Sequence, residues 1–137
     1  MANVHQRIRS DHATEIAEDY VEAIADIITR NGQCRANDLV RLFDVTHATV
    51  NNTVARLVRD GFVTTEPYQP LDLTSTGKTL ARKCRERHEV VRAFLLALGV
   101  SDATAIADSE GIEHHVSQET LIAMKQVLDT RSLPDGV

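Results

Sequence analysis

The stretch ANDLVRLFDVTHATVNNTVARLVRD, residues 36–60, predicts two helices separated by a tight turn. The first helix covers residues 36–43, and the turn Asp44-Val45-Thr46 follows it, with Thr46 suited to cap the next helix. The second helix runs to about Asp60 and has an apolar stripe at helical spacing. This stripe consists of Val50, Val54 and Leu57. A short helix, a tight turn and a longer amphipathic helix are the order of a helix-turn-helix.

The segments on either side extend this unit. Residues 62–65 and 71–73 are β-prone and are joined by a turn-rich stretch with two prolines, which predicts a two-stranded β ribbon, or wing. Upstream, residues 11–30 have apolar side chains at helical spacing and end at Asn31-Gly32, a signal for a left-handed helix cap. Residues 1–76 are therefore predicted to form a winged helix-turn-helix domain.

The rest of the chain is predicted to be helical. Its helices are expected over residues 75–98, 101–108 and 117–130. Ser101 and Ser117 are positioned to cap the last two helices, and the tail 131–137 is expected to be frayed. The fold class is therefore mainly α: a winged helix-turn-helix domain with a two-stranded β wing, followed by an all-α domain over residues 77–137.

The charge of the chain is unevenly distributed. The 137 residues carry a net charge of −5, from 15 Lys and Arg against 20 Asp and Glu. Residues 41–87, in contrast, hold eight basic and five acidic side chains, a net charge of +3. The middle of the chain is therefore suited to a polyanion, whereas the acidic ends are suited to cations.

Several classes of protein are excluded by simple features of the sequence. The longest apolar run, residues 93–98, is far too short to cross a bilayer, so no membrane partner is expected. Residues 1–7 contain no apolar segment of a secretory signal. The two cysteines, Cys34 and Cys84, cannot by themselves form a disulfide framework or a zinc finger. We therefore expect a globular cytoplasmic protein.

The second helix of the helix-turn-helix has the polar side chains of a DNA-reading helix. Once its apolar stripe is assigned to the interior, short hydrogen-bonding side chains and one arginine remain on or near the opposite face. Asn is suited to adenine edges and Arg to guanine edges or phosphate, and the wing tip can reach the DNA backbone or minor groove. For any single residue, an ordinary polar surface is the alternative. The predicted contacts with double-stranded DNA are His47, Thr49, Asn51, Asn52, Arg56, Tyr68 and Gln69.

The first helix has an unusual acidic face. Between residues 10 and 29 it contains six acidic side chains and no Lys or Arg. At ~100° per residue, four of them fall within about 60° of arc. These are Glu15, Asp19, Glu22 and Asp26. Like charges at this spacing repel each other, so either the face is simply solvated or a cation binds to it.

A second group of candidate ligands lies at residues 110–115, EGIEHH. In a helix, Glu110, Glu113 and His114 would stand at i, i+3 and i+4 and share one face. Two carboxylates and one imidazole suit a divalent metal of intermediate hardness such as Mn²⁺, Fe²⁺, Co²⁺ or Zn²⁺, and a charged helix cap is the alternative. His88 borders the apolar stripe of the long helix as a ligand or a packing residue, and Cys84 is interpreted as packing.

Three separated motifs together resemble the diphtheria-toxin-repressor family of metal-dependent transcription regulators, in particular its manganese-selective branch. They are Glu18-Asp19-Tyr20-Val21-Glu22, Glu86-Arg87-His88-Glu89 and residues 110–117, EGIEHHVS. The resemblance covers roughly residues 15–128. Three motifs in this order indicate the family more specifically than any one of them does alone.

The resemblance implies a binuclear Mn²⁺ site with two ions per chain, bridged by Glu22 and Glu113, to which the backbone carbonyl of Glu110 also contributes. Iron-selective members have sulfur ligands at the positions of Asp19 and Glu110, so oxygen at both positions favours manganese. Fe²⁺, Co²⁺, Cd²⁺ or Zn²⁺ could substitute. The implied metal ligands are Asp19, Glu22, His88, Glu110, Glu113 and His114.

The resemblance also implies a function. The chain would be a DNA-binding transcriptional regulator, mainly a repressor of metal-uptake genes, and not an enzyme. Residues 77–137 would bind metal and dimerise, and the homodimer would bind a palindromic operator. Apart from the resemblance, the apolar surface of residues 94–98 with Leu121, Met124 and Leu128 is the natural interface, and the alternative is that these side chains only fill the core of the monomer. Two Mn²⁺ would change the net charge from −5 to −1. They would also join ligands from both domains, which lowers the cost of ordering the dimer on DNA.

Three other interpretations remain open at this point. An iron- or zinc-responsive regulator of the same fold would have the same motifs. A winged-helix regulator that senses an organic ligand would leave the acidic face solvated. A di-metal enzyme of the four-helix type needs two Glu-x-x-His motifs and two further glutamates, and the sequence has only one such cluster, so no organic substrate is expected.

Overall fold

A computed structural model describes residues 4–131 of the chain. The described residues up to Arg82 form one unit and those from Lys83 onward form a second. The predicted boundary between residues 76 and 77 lies shortly before this division. Residues 132–137, most of the tail that was predicted to be frayed, lie outside the described residues, as do residues 1–3 of the first predicted domain.

The secondary structure confirms the predicted mainly α class. The elements in chain order are α1 (Val4–Asn31), α2 (Ala36–Phe43), α3 (His47–Arg59), β1 (Val63–Thr64), β2 (Asp72–Leu73), α4 (Ser75–Ala97), α5 (Asp102–Ile112) and α6 (Gln118–Arg131). Within residues 4–131, no helix is both long and apolar enough to cross a lipid bilayer.

Helix α1 begins earlier than predicted and ends where predicted. It starts at Val4 rather than at residue 11, because residues 4–10 contain no glycine or proline that would stop a helix. At its end, Gly32 has a φ of 84°, and its N–H donates to the carbonyl oxygen of Ile28 at 2.8 Å. Gly32 is therefore the left-handed cap that the sequence predicted.

Helices α2 and α3 form the predicted helix-turn-helix. Asp44 ends α2 in a left-handed conformation, with a φ of 53°, and Thr46 caps α3 by accepting a hydrogen bond from the Thr49 N–H at 3.1 Å. The ring of Phe43 stacks on that of Tyr20 from α1, with centroids 4.6 Å apart. The buried core that joins α1, α2 and α3 includes Val21, Ile24, Leu39, Val50, Val54 and Leu57.

The wing is a short antiparallel ribbon packed on this core. Val63 pairs with Leu73 and Thr64 with Asp72, so the strands are shorter than the predicted segments 62–65 and 71–73. Leu71, next to β2, forms an isolated antiparallel bridge with Cys34. Its N–H donates to the Cys34 carbonyl oxygen at 2.8 Å, which anchors the wing beside the start of α2.

The second unit contains the later part of α4, together with α5 and α6. Gly99, with a φ of 98°, follows α4 as predicted. Cys84 and Val91 are buried, but Leu98 is 63% exposed because it lies beyond the helix end and not on the buried stripe.

Helices α5 and α6 differ in how they begin. Ser117 caps α6 by accepting from the Thr120 N–H at 3.2 Å. Ser101 is the N-cap residue of α5, as predicted, but its side chain makes no cap bond to the backbone. Its hydroxyl donates to the Thr104 side chain at 3.0 Å. Helix α5 also extends past the predicted residue 108 to Ile112.

Candidate metal centre and nucleic-acid interface

The carboxylate of Glu113 is the most buried acidic group in the described part of the second unit, with 1% of the residue exposed. Glu113 is the C-cap residue of α5, and its N–H donates to the Ser109 carbonyl oxygen. Its Oε1 lies 3.2 Å from Nε2 of His114, whose side chain is 3% exposed. A buried carboxylate oxygen next to an imidazole nitrogen is a donor pair that suits a divalent transition metal.

Arg87 of α4 supplies the countercharge for this carboxylate. Its Nε donates to Oε2 of Glu113 at 3.0 Å and to the Glu113 carbonyl oxygen at 3.1 Å. Its Nη2 lies 3.5 Å from the sulfur of Cys84, which is fully buried and packs as predicted. The sequence did not identify Arg87 as part of this cluster, although it is the neighbour of His88 in the second motif.

His88 lies in the second unit with its Nδ1 3.5 Å from the Ser109 hydroxyl. That hydroxyl also donates to the Ile106 carbonyl oxygen at 3.0 Å. A histidine with one ring nitrogen held by a partner can bind a metal through the other.

The structure brings together only part of the cluster predicted at residues 110–115. Glu113 and His114 lie next to each other, whereas Glu110 is exposed on the last turns of α5, and His115 is exposed. The helix that was expected to carry all three ligands on one face ends at Ile112.

The two candidate ligands of the first unit lie on α1. Asp19 and Glu22 are half-buried, as are Glu15 and Asp26 of the same acidic face, and Glu18 beside them is buried. In residues 4–131, no three or more His, Cys, Asp and Glu side chains group closely enough to hold a metal ion. The six-residue ligand set therefore stays a prediction, and the donor chemistry of Glu113 and His114 is the part of it that fits a metal such as Mn²⁺.

The predicted DNA-contacting side chains all lie in the first unit and all are exposed. Helix α3 turns Val50, Val54 and Leu57 into the core, which leaves its opposite face open. The exposed residues of the predicted interface are His47, Thr49, Asn51, Asn52, Arg56, Tyr68 and Gln69. Exposure is the condition that a base- or phosphate-reading side chain must meet in the free protein.

Two family models match the chain over most of its length. The model described as "Iron dependent repressor, N-terminal DNA binding domain" matches residues 12–71. The model described as "Iron dependent repressor, metal binding and dimerisation domain" matches residues 74–133. The first match contains the helix-turn-helix and most of the wing, and the second contains the Glu113–His114 pair.

The chain is also similar to curated transcriptional regulators. It is 44% identical over 118 residues to "Transcriptional regulator MntR" of Salmonella typhimurium, which covers 86% of this chain and 75% of that protein. It is 42% identical over 120 residues to "Transcriptional regulator MntR" of Escherichia coli O157:H7, which covers 88% of this chain and 77% of that protein.

Solved structures share the fold. "Structure of the manganese regulator SloR" superposes with a TM-score of 0.72 at 22% identity, over 82% of this chain and 53% of that one. The chain thus spans about half the length of this solved relative. At this level of identity the likeness concerns the fold, and it agrees with a winged helix-turn-helix followed by a helical unit.

Proposed function

The chain belongs to the iron-dependent repressor family of metal-dependent, DNA-binding transcriptional regulators, and from this we propose that it is a manganese-activated repressor of metal-uptake genes. The family is one of regulators and not of enzymes. One observation carries the choice of a metal as the signal: the 1% exposed carboxylate of Glu113 lies 3.2 Å from the imidazole of His114. This pair offers one oxygen and one nitrogen donor of the kind that a divalent transition metal binds.

The proposed metal centre holds two Mn²⁺ per chain. Oxygen donors dominate the set, which suits manganese better than sulfur-containing sites do, and the relatives named as manganese regulators support the same metal. When bound, the ions supply positive charge that offsets the four carboxylates. The residues that would hold the ions are Asp19, Glu22, His88, Glu110, Glu113 and His114.

The chain's own residues then account for DNA binding. Helix α3 would enter the major groove, with Asn51, Asn52 and Arg56 facing base edges or phosphates. Four carboxylates repel DNA phosphates, so lowering their net charge strengthens binding that depends on phosphate electrostatics. We further propose that the protein acts in the cytoplasm as a homodimer on a palindromic operator, since a two-fold dimer presents two recognition helices to two half-sites.

A selection experiment tests this function and identifies the operator sequence at the same time. Random duplexes are incubated with the full chain and Mn²⁺, bound sequences are recovered, and their affinity is measured in gel shifts with Mn²⁺, Fe²⁺, Zn²⁺ or a chelator. We expect palindromic sequences whose affinity rises at least tenfold with Mn²⁺, a typical allosteric coupling. Affinity that is the same in chelator contradicts the metal dependence, and a larger response to Fe²⁺ or Zn²⁺ contradicts the choice of manganese.

Adjacent histidines provide a matched pair of variants for the ligand assignment. His114→Ala removes the buried imidazole beside Glu113, whereas His115→Ala removes its exposed neighbour. We expect His114→Ala, like Glu22→Ala, to keep the fold by circular dichroism but to lose the Mn²⁺ response in the gel shift. His115→Ala should respond as the wild type does. A normal response of His114→Ala shows that the ligand assignment is wrong.

A further inference from the structure

The tip of the wing is a tight turn with an unusual residue at its third position. The Gln69 N–H donates to the Glu66 carbonyl oxygen at 3.1 Å and closes the four-residue turn. Pro67 occupies the second position, and Tyr68 occupies the third with a φ of 63°. Proline followed by a residue with positive φ is the pattern of a type II turn, which normally has Gly or Asn at the third position.

The Tyr68 ring projects away from the described part of the chain, since the residue is 96% exposed. Its backbone is in the left-handed region, where residues with a Cβ are disfavoured. Glycine would adopt the same backbone conformation without strain. Because strained residues persist where the strain serves a function, a fully exposed aromatic ring at this site indicates a contact with a partner.

Arg35 links this turn to the helix-turn-helix. Its Nη1 donates to the Tyr68 carbonyl oxygen at 3.4 Å, and its backbone N–H donates to the Asp38 carboxylate at 2.8 Å. The preceding residue, Cys34, pairs with Leu71 at the base of the wing. The segment before α2 thus holds the wing at both its base and its tip.

We propose that Arg35 is a positioning residue that holds the wing-tip turn so that Tyr68 contacts DNA while α3 lies in the major groove. The inference rests on the proposed function, since it takes duplex DNA as the partner of the exposed ring. Tyr68 makes the contact, and Arg35 acts through the Tyr68 carbonyl oxygen. We name this pair, Arg35 and Tyr68, the wing-tip clamp.

The first test separates positioning from a direct phosphate contact by Arg35. Arg35→Met removes the side-chain donor but keeps the backbone N–H that bonds Asp38, and Arg30→Met removes the same charge from an exposed site at the end of α1. Affinity for the selected operator is measured with Mn²⁺ at several salt concentrations. We expect Arg35→Met to lose about tenfold, the loss of one specific contact, with the salt slope of the wild type. Arg30→Met should change affinity by less than about twofold.

The salt slope and a double-mutant cycle show whether Arg35 positions the turn or contacts a phosphate itself. A direct phosphate contact would lower the slope of log affinity against log salt by about 1, and that result overturns the positioning role. If Arg35 acts only through Tyr68, Arg35→Met should cost nothing further in a Tyr68→Ala background. A second tenfold loss in the double variant, as expected for independent contacts, also overturns it.

A measurement without DNA distinguishes failure of the clamp from failure of the proposed function. The heteronuclear ¹⁵N NOE of the Gln69 amide reports the mobility of the turn on the picosecond to nanosecond timescale. We expect a lower NOE in Arg35→Met than in the wild type and Arg30→Met, with an unchanged melting temperature. If the NOE of Arg35→Met is unchanged although the wild type binds its operator, the clamp is overturned and the proposed function is not. A wild type that selects no duplex overturns the proposed function and, with it, the DNA contact of Tyr68.

Discussion

Arg87 forms an ion pair with a buried carboxylate of the second unit. The Arg87 side chain is 20% exposed and the Glu113 side chain 1%, with their closest atoms 3.0 Å apart. Removing one partner of such a pair leaves an uncompensated buried charge. We therefore expect Arg87→Met to lower the free energy of unfolding by about 3 kcal/mol in the presence of a chelator. Urea denaturation monitored by circular dichroism measures this difference.

A second arginine of α4 provides the control. Arg92 pairs with Asp102 at 2.7 Å, with 41% and 62% of the two side chains exposed, so Arg92→Met should cost less than about 1 kcal/mol. Added Mn²⁺ should stabilise Arg87→Met more than the wild type, because a cation near Glu113 would replace the lost guanidinium charge. Equal destabilisation by the two substitutions would contradict a structural role for the Arg87–Glu113 pair.

The thiol of Cys34 predicts a loss of stability at alkaline pH. Burial, with a smaller effect of the Asp38 charge, raises the pKa of Cys34 from 9.0 to about 11. The folded state therefore holds this proton more tightly than the unfolded state, so the stabilisation is complete below pH 9 and is lost as the pH rises to about 11. We expect a decrease on the order of 2 kcal/mol across this interval, measured by urea denaturation at pH 8, 9, 10 and 11.

Cys34→Ala should flatten that decrease, although it lowers stability below pH 9 by leaving a small cavity. The native thiol should also resist iodoacetamide at pH 8, because the reactive thiolate is scarce and the side chain is fully buried. Alkylation of the native protein at the rate seen in urea would show that the burial does not protect this group.

At the scale of single residues, sequence reasoning identified functional side chains better than their partners. Glu113 and His114 were chosen because carboxylate and imidazole groups bind metals, and the structure places them 3.2 Å apart. Arg87 was counted as a basic side chain and as part of the second motif, but its pairing with Glu113 was not predicted because it joins residues 26 positions apart. Such a contact depends on how α4 packs beside the end of α5, which no local pattern specifies.

The junction between the wing and α4 depends on a glycine that has no room for a side chain. A Cβ at Gly77 would collide with the carbonyl oxygen of Phe62 and would lie 3.3 Å from Cδ2 of Leu73. Backbone cannot move aside cheaply, so we expect Gly77→Ala to destabilise the protein by about 2 kcal/mol. Differential scanning calorimetry of the metal-free protein measures the change.

Gly111 is the matched control for this substitution. It lies inside α5, and a Cβ there would meet nothing within 4 Å. Gly111→Ala should therefore stabilise the helix by about 0.5–1 kcal/mol, because alanine loses less conformational freedom than glycine in a helix. The two substitutions should have opposite signs. A Gly77→Ala protein as stable as the wild type would mean that the wing can shift relative to the start of α4.

At the scale of elements, amphipathic spacing and cap signals predicted most of the structure. Helix α2 has the predicted bounds, and the Thr46 cap and the Gly32 cap are confirmed. The errors occurred at the ends of elements. Helix α5 was predicted only to residue 108 but extends to Ile112, and the wing strands cover only residues 63–64 and 72–73 of the predicted segments.

On the scale of the whole molecule, apolar side chains in the second unit remain exposed. Leu98 is 63% exposed, Ile122 47% and Val127 43%. Residues 74–133 match a domain whose description includes dimerisation, and homodimer interfaces are richer in apolar area than the rest of a surface. Leu121, which the sequence assigned to the interface, is only 5% exposed and is therefore already covered within the chain.

Leu98 offers the most direct test of where two copies of the chain meet. We expect Leu98→Glu to weaken dimerisation at least tenfold, because it would place an unpaired charge in an apolar contact, while unfolding of the dissociated chain is unchanged because Leu98 is 63% exposed. Leu42→Glu, which alters a leucine that is 53% exposed on α2 in the first unit, should leave dimerisation unaltered. Sedimentation equilibrium with Mn²⁺ measures both dissociation constants. If the two variants dissociate equally, or if neither does, the interface lies elsewhere than at the end of α4.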